Sequence, residues 1–546
     1  MSHILKPPCD EAVIQAAPEQ GSKEGQRTTR AELLSSQHHI GSWVLVATIL
    51  GSSMAFIDGT VVNVALPVLQ TDLKATATDV QWVVEAYSLF LAALILVGGS
   101  LGDHFGRRRV FSIGIVLFTV ASVLCGLAPN VNLLIFARAF QGVGGALLVP
   151  GSLAIISASF DTKQRGRAIG TWSGFTAITS AVGPVMGGFL VQYASWRWVF
   201  FINVPVAVIV LIVLFWRVPE SRSEALREHP QLDWWGALLA TLGLGGIVFG
   251  LIESNNLGLG SGLVLLSLAI GIAALLAFLL VEARSKSPML PLTLFRSRTF
   301  SGANVLTFLL YAALGASLFF LPFNLIRVQG YTPTEAGAAN LPLILLMFFL
   351  SRWSGGLVSR YGAKLPLIIG PLIAALGFAL FAVPGIGGSY WTTYFPAVVV
   401  LGIGMAVSVA PLTTAVMGAV DPHYVGTASG VNNAVSRTAG LIAIAVFGIV
   451  VLVVFSSSLA SHLSILPIPT GVHQALIEQQ NKLVGIEIPV GVSTATHSAV
   501  QQAIAESFIT SFRVIMLIAS VLALCSSLSS LLLIEGKRPQ TDKKAS

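Results

Sequence analysis

Charge is scarce in this 546-residue chain: 31 Lys and Arg with 24 Asp and Glu make up 10% of it. A soluble domain carries about 25% charged residues, so a disordered chain and a water-soluble enzyme are both excluded. Cysteine is scarcer still. Cys9, Cys125 and Cys525 stand too far apart for a disulfide framework or a metal finger, and read as small hydrophobes or idle thiols. The nine histidines show no ligand spacing, and Ser, His and Asp are not placed like a hydrolase elbow. No Walker sequence occurs, so ATP is not the energy source, and no cofactor or metal is expected. Gly142-x-Gly144-Gly145 lies inside an apolar run with no strand before it, which removes a nucleotide-binding reading.

Apolar sequence is abundant, at 54% of residues. About 20 apolar residues cross a bilayer as a helix. Fourteen runs of that kind begin near Trp43, Val80, Val110, Asn132, Ala168, Val199, Trp234, Ser261, Ser301, Ala338, Leu365, Tyr394, Ser429 and Thr510. Only helices or a closed barrel satisfy the backbone in lipid, and no alternating ten-residue segments suggest a barrel. An all-α membrane protein with fourteen transmembrane helices is the expectation.

Short-loop Lys and Arg set the orientation. With the amino terminus inside, the inner loops hold residues such as Lys6, Arg107 to Arg109, Lys163, Arg217, Arg284, Arg298, Arg360 and Lys537. Only Lys74, Arg197, Arg327, Lys482 and Arg513 fall outside, and Arg138, Arg352 and Arg437 lie within spans. The positive net charge of +7 is therefore topological, and no nucleic-acid partner is expected. Both termini are placed in the cytoplasm. Residues 1–42 read as a disordered tail without a removable signal peptide, and 535–546 as a second tail. Between them lie a six-helix half (43–217), linkers with two inserted helices (218–299), and a second six-helix half (300–534). An external loop is expected at about 456–509. Trp43, Trp391 and Tyr394, near span ends, read as interfacial anchors.

The chain also echoes itself. Gly99-Ser-Leu101-Gly-Asp103-His104-Phe-Gly106-Arg107-Arg108 follows the second span. Gly355-Gly-Leu357-Val-Ser359-Arg360-Tyr-Gly362-Ala-Lys364 follows the tenth. Two duplicated halves separated by two extra spans would produce this displacement.

These motifs carry a family resemblance. Gly99 to Arg108 resembles the cytoplasmic-loop signature of the major facilitator superfamily, with His104 where a basic residue is usual. Leu134-x-x-x-Arg138-x-x-Gln141-Gly142-x-Gly144 resembles its fourth-span motif. Gly170 and Gly183-Pro184-x-x-Gly187-Gly188 resemble the fifth-span motif of its antiporters. Asp58-Gly-Thr60-Val-Val-Asn63-Val-Ala65-Leu66-Pro67 and Trp196-Arg197-Trp198 are similar to the fourteen-span drug:proton antiporters, the EmrB/QacA-like group. The resemblance implies a proton-driven multidrug exporter of a bacterial inner membrane, monomeric, working by alternating access on small lipophilic substrates. Membrane lipid would be its surroundings; a periplasmic adaptor is left open. It also implies that Gly99, Asp103, Gly106, Arg107 and Arg108 latch the halves together when the carrier faces outward.

The residues support a mechanism independently. Asp58 lies mid-span among Phe56, Ile57, Val61 and Val62, where desolvation disfavours the carboxylate and equips the group to exchange protons. A static carboxylate held by hydrogen bonds or an arginine fits the same residues. Glu85 is a second intramembrane acid, serving either coupling or a wetted vestibule. Glu253, at the outer end of an inserted span, reads as simply solvated. Arg138 cannot lose its charge and needs a partner, with Asp58 a candidate. Gly183, Gly187 and Gly188 permit close packing and Pro184 bends its helix. Asn63, Gln141, Asn433 and Arg437 are candidates for a substrate cavity, and three intramembrane arginines argue against dications. Export of an endogenous lipid, siderophore or metabolite is the alternative within transport; an embedded enzyme or a channel lacks the acid cluster or the pore repeats.

Overall fold

A computed structural model describes residues 22–160, 162–221, 233–285, 288–421, 425–489 and 492–536. Among them every regular element is helical. The first half comprises α1 (Ser22–Asp72), α2 (Ala77–Phe105), α3 (Arg107–Leu127), α4 (Val131–Ser159), α5 (Thr162–Tyr193), α6 (Trp198–Phe201) and α7 (Asn203–Arg217). An inserted hairpin follows, α8 (Trp234–Leu257) and α9 (Gly262–Arg284). The second half comprises α10 (Arg298–Phe323), α11 (Pro333–Ala338), α12 (Leu341–Tyr361), α13 (Lys364–Phe381), α14 (Tyr390–Gly418), α15 (Val425–Ile465), α16 (Thr470–Glu478) and α17 (Thr494–Leu533).

Among the described residues thirteen helical stretches are long and apolar enough to cross a membrane. The fourteenth is α5, 32 residues long. Its polar first turns and its Ser, Thr and Gly residues dilute the apolar signal. The sixth span is broken at Ile202, between α6 and α7, and the tenth at Ala339-Asn340, between α11 and α12.

The halves repeat one packing plan. In the first, α1 packs on α5 and α7, and α4 on α2 and α3; in the second, α10 packs on α15 and α17, and α14 on α12 and α13. The inserted α8 and α9 pack on each other, and α8 alone reaches both halves, lying against α2 and α15. The largest buried apolar cluster crosses between the halves, joining Val61, Leu66 and Leu69 of α1 to Phe320 of α10, Ala336 of α11 and Phe455 of α15.

Three expectations change. Residues 22–42 are not a disordered tail: α1 starts at Ser22, and no proline interrupts Ser22 to Leu66. The stretch 456–509 is not mainly loop, because α15 runs on to Ile465 and α17 begins at Thr494. His462 and Glu506 pair at 3.3 Å between these two extended helices. Tyr394 is no interfacial anchor; it is buried, and its hydroxyl accepts from Gln329 Nε2 at 2.9 Å. Residues 1–21, 222–232 and 537–546, including most of the expected linker and carboxyl tail, lie outside the described residues, as do the side chains of Asp103 and Arg352.

Candidate functional site

The centre of the first half is a sealed polar network. Arg138 and Gln141, three residues apart on α4, share one helix face and point at α1. Arg138 Nη1 donates to Asp58 Oδ2, and Gln141 Nε2 donates to Asp58 Oδ1 at 2.8 Å. Arg138 also donates from Nη1 to Gln141 Oε1 at 2.8 Å and from Nε to the Val83 carbonyl of α2 at 3.0 Å. The Tyr87 ring lies 4.3 Å from the guanidinium carbon, a cation–π contact. The side chains of Asp58 and Arg138 are 0% and 1% exposed. Two opposite charges can be held this deep because both Asp58 oxygens and the Nε and Nη1 donors of Arg138 are hydrogen-bonded.

A second layer orients the first. Gln141 Nε2 also reaches Ser122 Oγ at 3.3 Å. Ser122 in turn donates to the Phe200 carbonyl at 2.8 Å and accepts from Asn203 Nδ2 at 3.0 Å. Gln141, a candidate cavity residue in the sequence, is fully buried in this network instead. Asn203 stands with Pro205 just after Trp196-Arg197-Trp198, in the motif that resembles the drug:proton antiporters, whereas Ser122 carries no sequence signal beyond being polar in an apolar span.

Next to the network lies a cavity of about 420 Å³ between the halves. Its wall takes Phe56, Thr60 and Asn63 from α1, Tyr87 and Ser88 from α2, Arg138 from α4, and Tyr311, Asn433, Ser436 and Arg437 from α10 and α15. Asn63, Asn433 and Arg437 thus meet in one space. Asp58 lies behind Arg138.

Glu85 is elsewhere. It is buried on the face of α2 shared by Trp82 and Leu89, and both carboxyl oxygens lack a hydrogen-bond partner. Leu89 belongs to an apolar cluster with Val248 and Ile252 of α8 and Leu441 and Ala445 of α15. Glu85 therefore occupies the three-way seam between the halves and the insert. Glu253, expected to be solvated, accepts from Trp82 Nε1 at 2.7 Å nearby.

The glycines of α5 make one end of the bundle close. A Cβ on Gly183 would strike Thr60 Oγ1 and one on Gly187 would strike Val61, both on α1. A Cβ on Gly188 would strike the Pro333 carbonyl, and one on Gly337 the Pro184 carbonyl, so α5 and α11 touch backbone to backbone. This end also carries the cross-half hydrogen bonds Gln70 Nε2 to the Lys482 carbonyl (3.0 Å), Gln81 Nε2 to the Ile444 carbonyl (3.3 Å) and Arg327 Nη2 to Thr71 Oγ1 (2.7 Å). The basic-residue pattern assigns it to the outside. A Cβ on Gly170 would meet nothing within 4 Å, and this glycine takes no part in the seam.

At the opposite end Gly106 has φ +111°, a conformation that favours glycine, and opens α3 directly after α2. The exposed amides there find an acceptor the sequence did not single out: Glu220, after α7, accepts from the amides of Arg108 (3.0 Å) and Arg109 (3.2 Å). Arg108 Nη1 donates to the Val218 carbonyl at 3.0 Å, and the Arg107 amide to the Ser221 carbonyl at 3.0 Å. A carboxylate at a helix amino terminus satisfies free N–H groups and the dipole together. Gly99, two turns before Gly106, faces Pro150 of α4. These contacts tie Arg108 and the first amides of α3 to the end of α7, within one half.

Known proteins agree with this architecture. The chain is 34% identical over 489 residues to a multidrug resistance protein, Stp, of Mycobacterium tuberculosis, covering 87% of this chain and 89% of that protein. It is 35% identical over 410 residues to a tetracenomycin C resistance and export protein of Streptomyces glaucescens, covering 74% and 75%. A puromycin resistance protein of Streptomyces alboniger is 36% identical over 425 residues, covering 77% and 84%. Among solved structures, an inward-facing bacterial homologue of the human lysosomal transporter Spinster shares the fold, with a TM-score of 0.59 at 20% identity over 90% of this chain and 98% of that one. Residues 48–445 match the Major Facilitator Superfamily, and the chain belongs to that family.

Proposed function

We propose that this transporter exports small amphipathic drugs or metabolites from a bacterial cytoplasm in exchange for protons, as a cofactor-free monomer in the inner membrane with both termini inside. The observation that carries the reading is Asp58, sunk in mid-span and paired with Arg138, which itself lines the central cavity. Such an acid has two states of different energy. Ionised, it neutralises Arg138. Protonated, it leaves Arg138 with the Val83 carbonyl, Gln141 and the Tyr87 face, and the guanidinium can turn to the cavity it already lines.

Removing one partner from a buried pair costs about 3–5 kcal/mol. Proton binding at Asp58 can therefore shift a two-state carrier whose conformations differ by a few kcal/mol. Inward proton movement supplies about 2.3 kcal/mol per 100 mV, apart from any pH gradient. The halves rock about the cavity: the α5–α11 seam shuts the outside, and the loops bearing Asp103 to Arg108 shut the inside when the seam opens. Glu85 serves the seam. An unpartnered carboxylate is costly in apolar packing, so Glu85 is stable there only as the neutral acid, and opening the seam to external water lets it ionise.

The test is transport in proteoliposomes of the full chain with an imposed pH gradient, using tetracenomycin C and puromycin as probes. Movement of either probe against its gradient, abolished by a protonophore, is expected. Transport indifferent to the gradient overturns proton coupling.

A further inference from the structure

The cavity wall is electrically lopsided. Its two charged residues, Arg138 and Arg437, are both cations. Arg138 is neutralised by Asp58, whose oxygens are both engaged and fully buried. Arg437 is not neutralised: among the described residues it makes no ion pair or hydrogen bond. No carboxylate faces the cavity among its lining residues. A guanidinium within a membrane span and without a counter-ion is expensive unless water or a ligand meets it.

Its surroundings describe the ligand. Asn433 and Ser436 flank Arg437 on α15, and Tyr311 of α10 lines both this cavity and a neighbouring one of about 90 Å³ that also shares Asn433 and Ser436. These are hydrogen-bonding groups clustered around one cation. The facing wall on α1 and α2 mixes apolar Phe56, Val62 and Val84 with polar Thr60, Asn63 and Ser88. A planar guanidinium fork matches a carboxylate or a delocalised enolate in two parallel hydrogen bonds. A space near 420 Å³ suits a drug-sized molecule.

Resting on the export reading above, we infer that Arg437 is the specificity determinant of this cavity and that its substrates are organic acids: molecules with one ionised carboxyl or enol oxygen on an apolar or aromatic frame. The acid group docks on Arg437, Asn433 and Ser436, and the frame lies against Phe56 and Val84. Lipophilic cations meet an uncompensated positive charge and are rejected.

Two probes of opposite charge on one xanthene frame test this: fluorescein, an anion, and tetramethylrhodamine methyl ester, a cation. Equilibrium dialysis against the detergent-purified full chain at fixed pH is expected to show fluorescein bound about tenfold more tightly or better. Arg437→Gln should erase that preference and Arg437→Lys should keep its sign. Equal binding of the two dyes by the wild type, or an unchanged ratio in Arg437→Gln, overturns the assignment. If the glutamine variant does not fold, the wild-type ratio and the lysine variant decide. Dialysis needs no gradient, so an anion preference without gradient-driven transport fails the export reading alone. Gradient-driven export of both dyes at equal rates fails the substrate class alone.

Discussion

The two halves share a scaffold and differ in their polar interiors. In the first half the polar groups are charged, sealed and closed on themselves: Asp58, Arg138 and Gln141, backed by Ser122 and Asn203. In the second, neutral groups join α10 to α15, with Asn432 Nδ2 donating to Asn304 Oδ1 at 3.1 Å and Thr307 Oγ1 at 2.7 Å, while Arg437 lines the cavity. Duplication repeated the packing and not the chemistry. On the proposed function, the first half stores the proton and the second holds the ligand.

The strongest way to break this division is Asp58→Asn. The amide imitates the protonated acid but strands Arg138 as a buried cation, so gradient-driven transport should fall to background. Thermal unfolding should report a loss of about 3 kcal/mol or more. Retained coupling in that variant would mean that the first half is not the proton store. Next in size is Gly188→Leu. The new side chain meets the Pro333 backbone, and overpacking of about 1–3 kcal/mol should hold the outer seam open. Faster thiol labelling of a cysteine placed at Gln70, with transport reduced about tenfold, is the expected result.

Asn432→Ala sharpens the comparison from the other side. It removes two neutral hydrogen bonds, so stability should drop by about 1 kcal/mol while gradient coupling persists. Glu85→Gln should matter least at neutral pH, because a neutral amide replaces a neutral acid, with a change of about 0.5 kcal/mol. Its effect should emerge under external alkali: the wild-type seam opens as Glu85 ionises, and the glutamine seam stays shut, read by the same labelling.

The membrane spans were legible because twenty apolar residues have few other fates, and α5 was the span nearest to being missed because glycine, serine and threonine do its packing. Arg138 and Gln141 could be placed on one face from their spacing. Their meeting with Asp58 could not, since 80 and 83 residues separate them and no local pattern records which helices touch. Gln141 was misplaced for that reason: a polar residue mid-span points inward, but whether toward a cavity or a partner depends on a neighbouring helix. Glu220 escaped notice because its target, the amino end of α3, lies 112 residues away. The helical stretch after Val454 looked like loop because Pro467 and Pro469 dominate it locally, although α15 and α17 flank those prolines as long helices.

Asp58 as the proton carrier is the claim on which the mechanism rests, and proton flux tests it without reference to stability. Proteoliposomes of the full chain, loaded with a pH-sensitive dye and given a tetracenomycin C gradient, should change internal pH as the probe moves, and those reconstituted with Asp58→Asn should show no change. Equal proton movement in the variant and the wild type would contradict that role.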